Sequence, residues 1–215
     1  MKADTNIIFL VMITVAFPAA AEQFCGNVPA GWNPEAYAKS SSLCADVLLK
    51  SDEDGIRKLR VFESGKLAFA SDDTALCKSC GGVKGDPFQG IEWNGETLSV
   101  SNWGGSRYTW DETWKIAKKH KQWKLIGWDH GSMDGLTLST WTESVNTLTR
   151  KAIAIYQPGE TAGCDEVADK TKDCINGKPK TKTLKCNIKI DSTISEISQI
   201  YKLREKPFAC GLKMP

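Results

Sequence analysis

The chain has 215 residues, of which 41% are hydrophobic and 25% are charged, and its 28 Lys and Arg against 26 Asp and Glu give a formal net charge of +2. This composition is typical of a globular protein and excludes a long disordered chain, which would combine lower hydrophobicity with a larger charge imbalance. It also argues against a strongly basic nucleic-acid-binding protein, so we expect no nucleic-acid partner.

Residues 1–21 have the pattern of a secretory signal peptide. Lys2 precedes an apolar run from Ile7 to Phe17, and the small residues that end at Ala21 suit a signal peptidase. The run is shorter than the roughly 20 apolar residues that cross a bilayer. We therefore expect cleavage before Glu22, no transmembrane span in the mature protein, and a periplasmic or secreted localisation.

The eight cysteines all follow the predicted signal peptide. An even number of cysteines in an exported chain predicts disulfides, which form in oxidising compartments. Their clustering favours one bridge near the N-terminus, one in a C-x-x-C motif and two in the C-terminal tail. The predicted pairs are Cys25 with Cys44 and Cys77 with Cys80, and the tail bridges join Cys164, Cys174, Cys186 and Cys210 in an order that the sequence leaves open.

Residues 22–54 are rich in Gly, Pro and Ser and are predicted to form an irregular N-terminal segment. Residues 55–158 have the pattern of an antiparallel β domain. Hairpins are predicted around Glu63-Ser64-Gly65, around Asn94-Gly95 and around Lys119–Gln122, because apolar alternation flanks each of these turn sequences. Two further strands are predicted over 136–142 and 148–156.

Residues 163–215 differ in composition and are predicted to form a Cys-rich C-terminal extension. Ile194, Ile197 and Tyr201 have helical spacing after Thr193 and Glu196, which could form a capping box. The predicted fold class is therefore mainly β, an antiparallel sheet or sandwich with a short helix and a disulfide-stapled C-terminal tail.

Four short motifs lie in the middle of the chain, within about residues 51–149: Cys77–Gly82, Gly85–Phe88, Gly104–Trp110 and Trp123–Asp129. This series gives the chain a resemblance to a group of uncharacterised exported bacterial proteins. It implies export and a β-rich fold, and it implies no activity. Many members also carry an acidic loop for which the counterpart here is 50–55, but Lys50 stands at the first acidic position, so calcium binding is not expected.

Three kinds of catalytic or metal chemistry are weakly supported. Gly-rich loop sequence rather than a helix follows Cys77 and Cys80, which favours a structural clip over a redox pair. The tail cysteines lack zinc-ligand spacing, and Asp129-His130-Gly131-Ser132 lacks the turn that exposes a nucleophilic serine. We expect no catalytic residue, metal or cofactor. Glycoside hydrolysis remains an alternative, because a pair of carboxylates at the required separation could come from the acidic residues of the predicted strands and turns. These residues are Glu92, Glu96, Asp111, Glu112, Asp129 and Asp134.

Tryptophan is the most unusual feature of the sequence, because seven of the eight lie between Trp93 and Trp141. Aromatic packing in the core explains some of them, but seven in one short region favour a recognition surface. The predicted function is a non-enzymatic exported binding protein that acts on a protein partner, such as a periplasmic inhibitor or immunity-type protein. The alternative is a carbohydrate-binding or carbohydrate-cleaving protein. The candidate binding residues are Trp103, Arg107, Trp128, Asp129 and His130.

Overall fold

The computed structural model describes residues 24–52, 54–159, 162–164, 174–188, 197–204 and 210–211. The predicted signal peptide and the predicted capping box lie outside these residues. The elements in chain order are β1 (Trp32–Ser40), β2 (Leu43–Lys50), β3 (Arg57–Glu63), β4 (Lys66–Ser71), β5 (Phe88–Asn94), β6 (Thr97–Gly105), β7 (Tyr108–Lys119), β8 (Gln122–Asp134), β9 (Thr140–Asn146), β10 (Lys151–Gln157), β11 (Cys174–Ile175), β12 (Lys178–Pro179), β13 (Lys182–Asn187) and α1 (Ile200–Arg204).

Two antiparallel sheets share one core, which confirms the predicted fold class. The first sheet has the order β1-β2-β3-β4 and the second has the order β13-β10-β9-β8-β7-β6-β5. Alternate residues of each strand point to the same face, so the apolar residues of β2 and β3 meet those of β6 to β10. The shared core contains Val47, Val61, Val100, Trp114, Trp128 and Val145.

The N-terminal segment is more regular than its sequence predicts. The expectation of an irregular segment over 22–54 is wrong for 32–50, where β1 and β2 extend the first sheet. β1 is an edge strand with mostly exposed side chains and a register shift after Pro34, so it lacks the apolar alternation of a half-buried strand. β2 is anchored by Asp46, whose buried carboxylate accepts two hydrogen bonds of 2.7 Å from Arg60.

The three predicted hairpins form, and one has a different turn register. Asn94 pairs with Thr97, so the two turn residues are Gly95 and Glu96 rather than Asn94 and Gly95. Gly95 has φ of +60°, a left-handed conformation that glycine adopts at little cost. In the third hairpin, His120 and Lys121 both have positive φ, and Lys119 pairs with Gln122 as predicted.

Strands β9 and β10 begin later in the chain than the sequence predicts, and β10 begins at Lys151 instead of residue 148. β8 continues to Asp134, and β9 therefore begins at Thr140 instead of residue 136. His130 therefore lies inside β8.

The C-terminal extension is joined to the β domain. Residues of β13 pair with β10 from Lys182 to Asn187, so the extension supplies an edge strand of the second sheet. Ile200 of α1 is buried in the shared core. The predicted boundary at residue 158 consequently does not separate two independent packing units among the described residues.

All eight cysteines are paired. The bridges are Cys25–Cys44, Cys77–Cys80, Cys164–Cys174 and Cys186–Cys210, which confirms the predicted pairs and settles the order in the tail. Four disulfides are typical of a protein of an oxidising compartment, extracellular or periplasmic. In the described part of the chain, no helix has the length and apolar character needed to cross a membrane.

Candidate functional site

The five predicted binding residues do not form one surface. Trp103 and Asp129 lie on the solvent-facing side of the second sheet, whereas Trp128 and His130 lie on its core-facing side. Arg107 lies in the turn between β6 and β7. Trp128 is buried and its indole N–H donates to Glu143 at 2.9 Å, so it cannot contact a partner directly.

Asp129 is held in a local network on the sheet surface. Its carboxylate forms an ion pair with Lys115 and accepts a hydrogen bond of 2.7 Å from the Ser144 hydroxyl. Both partners lie on the adjacent strands β7 and β9. Exposed ion pairs of this kind contribute about 1 kcal/mol or less to stability, so Asp129 is most simply a solvated surface residue.

Arg107 and Asp134 fix the loops at one end of the second sheet. The Arg107 guanidinium donates two hydrogen bonds of 2.9 Å to the Asp134 carboxylate, and the Leu136 backbone N–H donates a third of 3.0 Å. The Arg107 hydrogen bonds, with help from the Leu136 N–H, lower the pKa of Asp134 from 3.8 to about 2. Asp134 therefore stays ionised in the folded protein and orders the residues that follow β8.

The Cys77–Cys80 loop packs against the same end of the sheet. The Gly105 N–H donates to the Gly81 carbonyl at 2.9 Å, which joins the loop to the end of β6. A Cβ on Gly104 would lie 2.9 Å from the Gly81 carbonyl oxygen and 2.6 Å from the Trp110 ring, so this approach requires glycine. The disulfide clips the loop as predicted, and a short 3₁₀ turn, Gly82–Lys84, follows it.

Three loops meet at this end: the Cys77–Cys80 loop with its 3₁₀ turn, the β6–β7 turn and the β8–β9 loop. The Gly135 N–H donates to the Arg107 carbonyl at 2.8 Å and so joins the last two loops. Large apolar or aromatic side chains on these loops and on the adjoining strand ends are exposed to solvent. We call this set the loop-end surface: Val83 (85% exposed), Leu136 (66%), Leu138 (58%), Tyr108 (41%) and Trp103 (38%).

Cationic side chains lie over the two aromatic rings of the loop-end surface. The Lys84 ammonium lies 5.6 Å from the centre of the Trp103 ring, and the Arg107 guanidinium lies 5.1 Å from the centre of the Tyr108 ring. Such contacts hold the rings in place while leaving their edges accessible. The surface is thus apolar and aromatic with a basic fringe.

A second group of polar residues lies on the core-facing side of the second sheet. Glu112, His130 and Glu143 are directly paired neighbours on β7, β8 and β9. Glu112 is buried and accepts hydrogen bonds from Asn102 and from Arg204 of α1. Glu112 thus binds the guanidinium of Arg204 inside the protein. The cross-strand row places His130 between Glu112 and Glu143.

Three of the seven tryptophans in this region are buried, so the recognition role inferred from the sequence is wrong for these three. Trp114 packs on Trp128 with ring centres 6.0 Å apart, Trp141 packs on Tyr156 at 5.3 Å, and these three indoles are buried. Three more are half-buried, namely Trp93, Trp110 and Trp123. Trp103 is the most exposed indole of this region (38%) and the one that belongs to the loop-end surface.

The strand carboxylates are divided between the two faces, and three of the six have arginine or lysine partners, namely Glu112, Asp129 and Asp134. Asp111 and Asp129 face solvent, and Glu112 and Asp134 are buried against arginines. Among the described residues, no group of three or more His, Cys, Asp or Glu side chains is arranged to hold a metal ion. In the acidic loop, Lys50 forms an ion pair with Asp52, whose carboxylate accepts a hydrogen bond from the Gly55 N–H.

The sequence predicts Trp103 and Arg107 as binding residues and does not predict the aliphatic residues beside them. Leu136 and Leu138 fall in or next to a predicted strand, and Val83 falls in a Gly-rich loop sequence. The signal that could have identified Val83 is an apolar β-branched residue among the glycines of a loop closed by a disulfide, because loops generally run over the protein surface.

Comparison of the chain with protein-family models, with curated proteins and with solved structures finds no significant match.

Proposed function

We propose that this protein is a non-enzymatic exported binding protein that recognises a protein partner through the loop-end surface. The supporting observation is the exposure of five large apolar or aromatic side chains on three loops and the adjoining strand ends, where the loops are tied to each other and to the sheet. Exposed apolar side chains that are clustered and rimmed by polar groups are typical of interaction sites. The proposal retains Trp103 and Arg107 and leaves out Trp128, Asp129 and His130.

The rigidity of the loops favours recognition without large rearrangement. The disulfide and the Gly81–Gly105 hydrogen bond restrain the Cys77–Cys80 loop, and the Arg107–Asp134 ion pair ties the β6–β7 turn to the start of the β8–β9 loop. Pre-ordered loops lose little conformational entropy on binding, which is a common property of inhibitors that bind enzymes tightly. We therefore propose an inhibitor or immunity-type role in the periplasm, with an enzyme that acts on the cell wall as the partner class.

The basic fringe suggests the chemistry of the partner. Lys84 and Arg107 lie beside the apolar residues, so an apolar partner surface with acidic residues at its rim would be complementary. Complementary charges of this kind mainly raise the association rate, which should fall as salt is added.

The proposal is tested by affinity capture with matched variants. Purified wild-type protein should recover a stoichiometric partner from periplasmic extract of its source cell, and Val83→Asp and Leu136→Asp should lose it. Leu67→Asp is the control, because Leu67 is similarly exposed but lies on β4 of the other sheet. Equal capture by all four proteins, or capture by none of them, would contradict the proposal.

A glycan ligand is the second candidate, supported by one observation. Trp103 is directly paired with Asp111 on the solvent-facing side of the second sheet, so an indole ring and a carboxylate are neighbours there. A sugar ring stacks on indole and donates hydroxyl hydrogen bonds to carboxylate. Quenching of tryptophan fluorescence by oligosaccharides, lost in Trp103→Ala, would favour this candidate over a protein partner.

A further inference from the structure

The hairpin formed by β7 and β8 carries a concentrated positive charge. Residues 115–124 contain five lysines and one histidine and no acidic residue, whereas the whole chain has a net charge of only +2. β7 runs from Tyr108 to Lys119 and β8 returns from Gln122, so the turn of this hairpin lies at the end of the second sheet opposite to the loop-end surface. We call residues 118–124 the basic hairpin tip.

The basic hairpin tip projects beyond both neighbouring strands of its sheet. Pairing with β6 ends at Ala117, and pairing with β9 begins only at Gly127. Residues 118–123 therefore pair only within the hairpin. The base of the projection is fixed by Trp123, which packs against Phe69 of β4 with ring centres 5.5 Å apart. The tip is thus a rigid, convex part of the surface.

Two of the five lysines are neutralised by acidic residues. Lys115 forms an ion pair with Asp129, and Lys118 forms one with Glu63 of β3. The other three form no ion pair within the described part of the chain, and all are at least partly exposed: Lys119, Lys121 and Lys124. The tip therefore presents three uncompensated positive charges to solvent.

The turn of the tip uses residues that its backbone disfavours. His120 and Lys121 have φ of +50° and +67°, a left-handed conformation for which a two-residue hairpin turn favours Asn and Gly. The turns Ser64-Gly65 and Asn176-Gly177 also have positive φ at both residues, and each has glycine in second place. Lys121 occupies that place here, where packing against the core does not require it. Strain of this kind at an exposed position is typical of a functional residue.

Further cations lie on the turns beside the tip. Exposed Lys66 pairs across the strands with Glu63, which contacts Lys118. Exposed Arg150 lies in the β9–β10 turn, at the same end of the second sheet because antiparallel strands alternate in direction. Glu96 of the β5–β6 turn is an exposed acidic residue at this end. The positive charges outnumber it, so the whole end is basic.

The lysines of the tip diverge rather than converge. Lys118 and Lys119 are successive strand residues, so their side chains point to opposite faces of the hairpin, and Lys121 lies in the turn. Divergent ammonium groups cannot close around one phosphate or carboxylate, and lysine lacks the planar fork with which arginine binds a single oxyanion. Charges spread over a projecting tip instead match an extended layer of negative charge, such as the head groups of an anionic bilayer.

We propose that the basic hairpin tip docks on the surface of an anionic phospholipid membrane through Lys119, Lys121 and Lys124. The association is electrostatic and takes place at the level of the head groups. It directs the loop-end surface away from the bilayer, because the two lie at opposite ends of the second sheet. The inference does not depend on the loop-end surface being a protein-binding site.

The test is cosedimentation of the purified, disulfide-bonded protein with vesicles of phosphatidylcholine, with or without one third phosphatidylglycerol. The wild type should sediment with the anionic vesicles and not with the neutral ones, and added salt should release it because salt screens exposed charges. Each lysine near an anionic surface raises the partition coefficient about fivefold, so Lys119→Gln/Lys121→Gln/Lys124→Gln should lower it roughly 100-fold.

Matched variants separate the tip from the net charge. Lys78→Gln/Lys178→Gln/Lys185→Gln removes the same charge from exposed lysines elsewhere and should bind anionic vesicles nearly as the wild type does. Lys121→Gly removes one lysine together with the strained backbone, so it should raise the melting temperature while lowering the partition coefficient about fivefold. Equal losses in the two triple variants, equal binding to neutral vesicles, unchanged binding of Lys121→Gly, or binding to soluble polyphosphate without cosedimentation would overturn the proposal.

Discussion

Replacing Arg60 tests whether the N-terminal strands are an integral part of the fold. Arg60→Met keeps most of the aliphatic volume and removes two hydrogen bonds of 2.7 Å to Asp46 and one of 2.7 Å to the Asn27 carbonyl. Asp46 is 0% exposed, and of its hydrogen bonds described here only the one from the Cys25 N–H, at 3.2 Å, would remain. A buried carboxylate would thus lose its counter-charge.

The expected loss of unfolding free energy follows from the burial of the Asp46 carboxylate. Breaking a buried ion pair by removing one partner destabilises a protein by about 3 to 5 kcal/mol. For a chain of this size, each kcal/mol lowers the melting temperature by roughly 2 to 4 °C, so a decrease of roughly 6 to 20 °C is expected. The measurement is thermal and urea unfolding with the disulfides intact, followed by circular dichroism.

Two matched variants separate the buried charge from a general effect of mutation. Lys115→Met breaks the exposed ion pair with Asp129 and should cost less than about 1 kcal/mol. The double variant Arg60→Met/Asp46→Asn removes the stranded charge and should recover part of the loss, because effects on contacting residues are not additive. A cost below about 1 kcal/mol for Arg60→Met, or simple additivity in the double variant, would refute the reasoning.

Three other predictions concern the loop end. The pKa of Asp134 is lowered from 3.8 to about 2 in the folded protein, so its contribution to stability is present above pH 3.8 and is lost as the pH falls towards 2. The difference in unfolding free energy between wild type and Asp134→Asn should therefore shrink over this pH range, and a constant difference would contradict the prediction. Gly104→Ala should lower stability by about 1 to 3 kcal/mol, since its Cβ would overlap the Trp110 ring and the Gly81 carbonyl; unfolding in urea measures this, and an unchanged midpoint would refute the close packing. Thiol labelling of natively purified protein, read by mass spectrometry, should leave Cys77 and Cys80 unmodified because they are bridged; labelling of either would contradict a structural clip.

Local turn chemistry made several strands predictable from the sequence. Lys119–Gln122 was placed as a turn by its polar residues between apolar strands, and the structure has the turn there. The Asn94-Gly95 hairpin was found, but its register was off by one residue because Gly95 alone adopts positive φ. Local sequence indicates that a turn occurs more reliably than it sets which residues pair across it.

The N-terminal strands were not predictable in the same way, because their signal depends on residues far away in the chain. β2 contains Asp46 in a position that is buried only because Arg60 of β3 neutralises it. From the sequence alone an aspartate is expected at the surface, and local sequence does not show that Arg60, 14 positions away, is the partner of Asp46. The same limit applies to Arg107, because the sequence does not show that its guanidinium pairs with the buried Asp134.

The number of tryptophans overestimates the recognition surface, because the sequence does not show how many indole rings can pack between two sheets. Indole rings on neighbouring strands pack against each other, as Trp93 does against Trp123, with ring centres 6.2 Å apart. Trp93 also donates its N–H to the Ala38 carbonyl at 3.1 Å, so the polar end of this ring is satisfied by β1. A count of tryptophans therefore overestimated the recognition surface, and only Trp103 remains part of it.

Site-specific photocrosslinking tests most directly whether a protein partner binds at the loop-end surface. A photoreactive residue is introduced at Leu136, or at Leu148 as a control that is also exposed but lies in the β9–β10 loop. The account predicts that irradiation in the source cell yields one crosslinked protein from position 136 and none from position 148. The same crosslinked protein from both positions, or from position 148 alone, would contradict it.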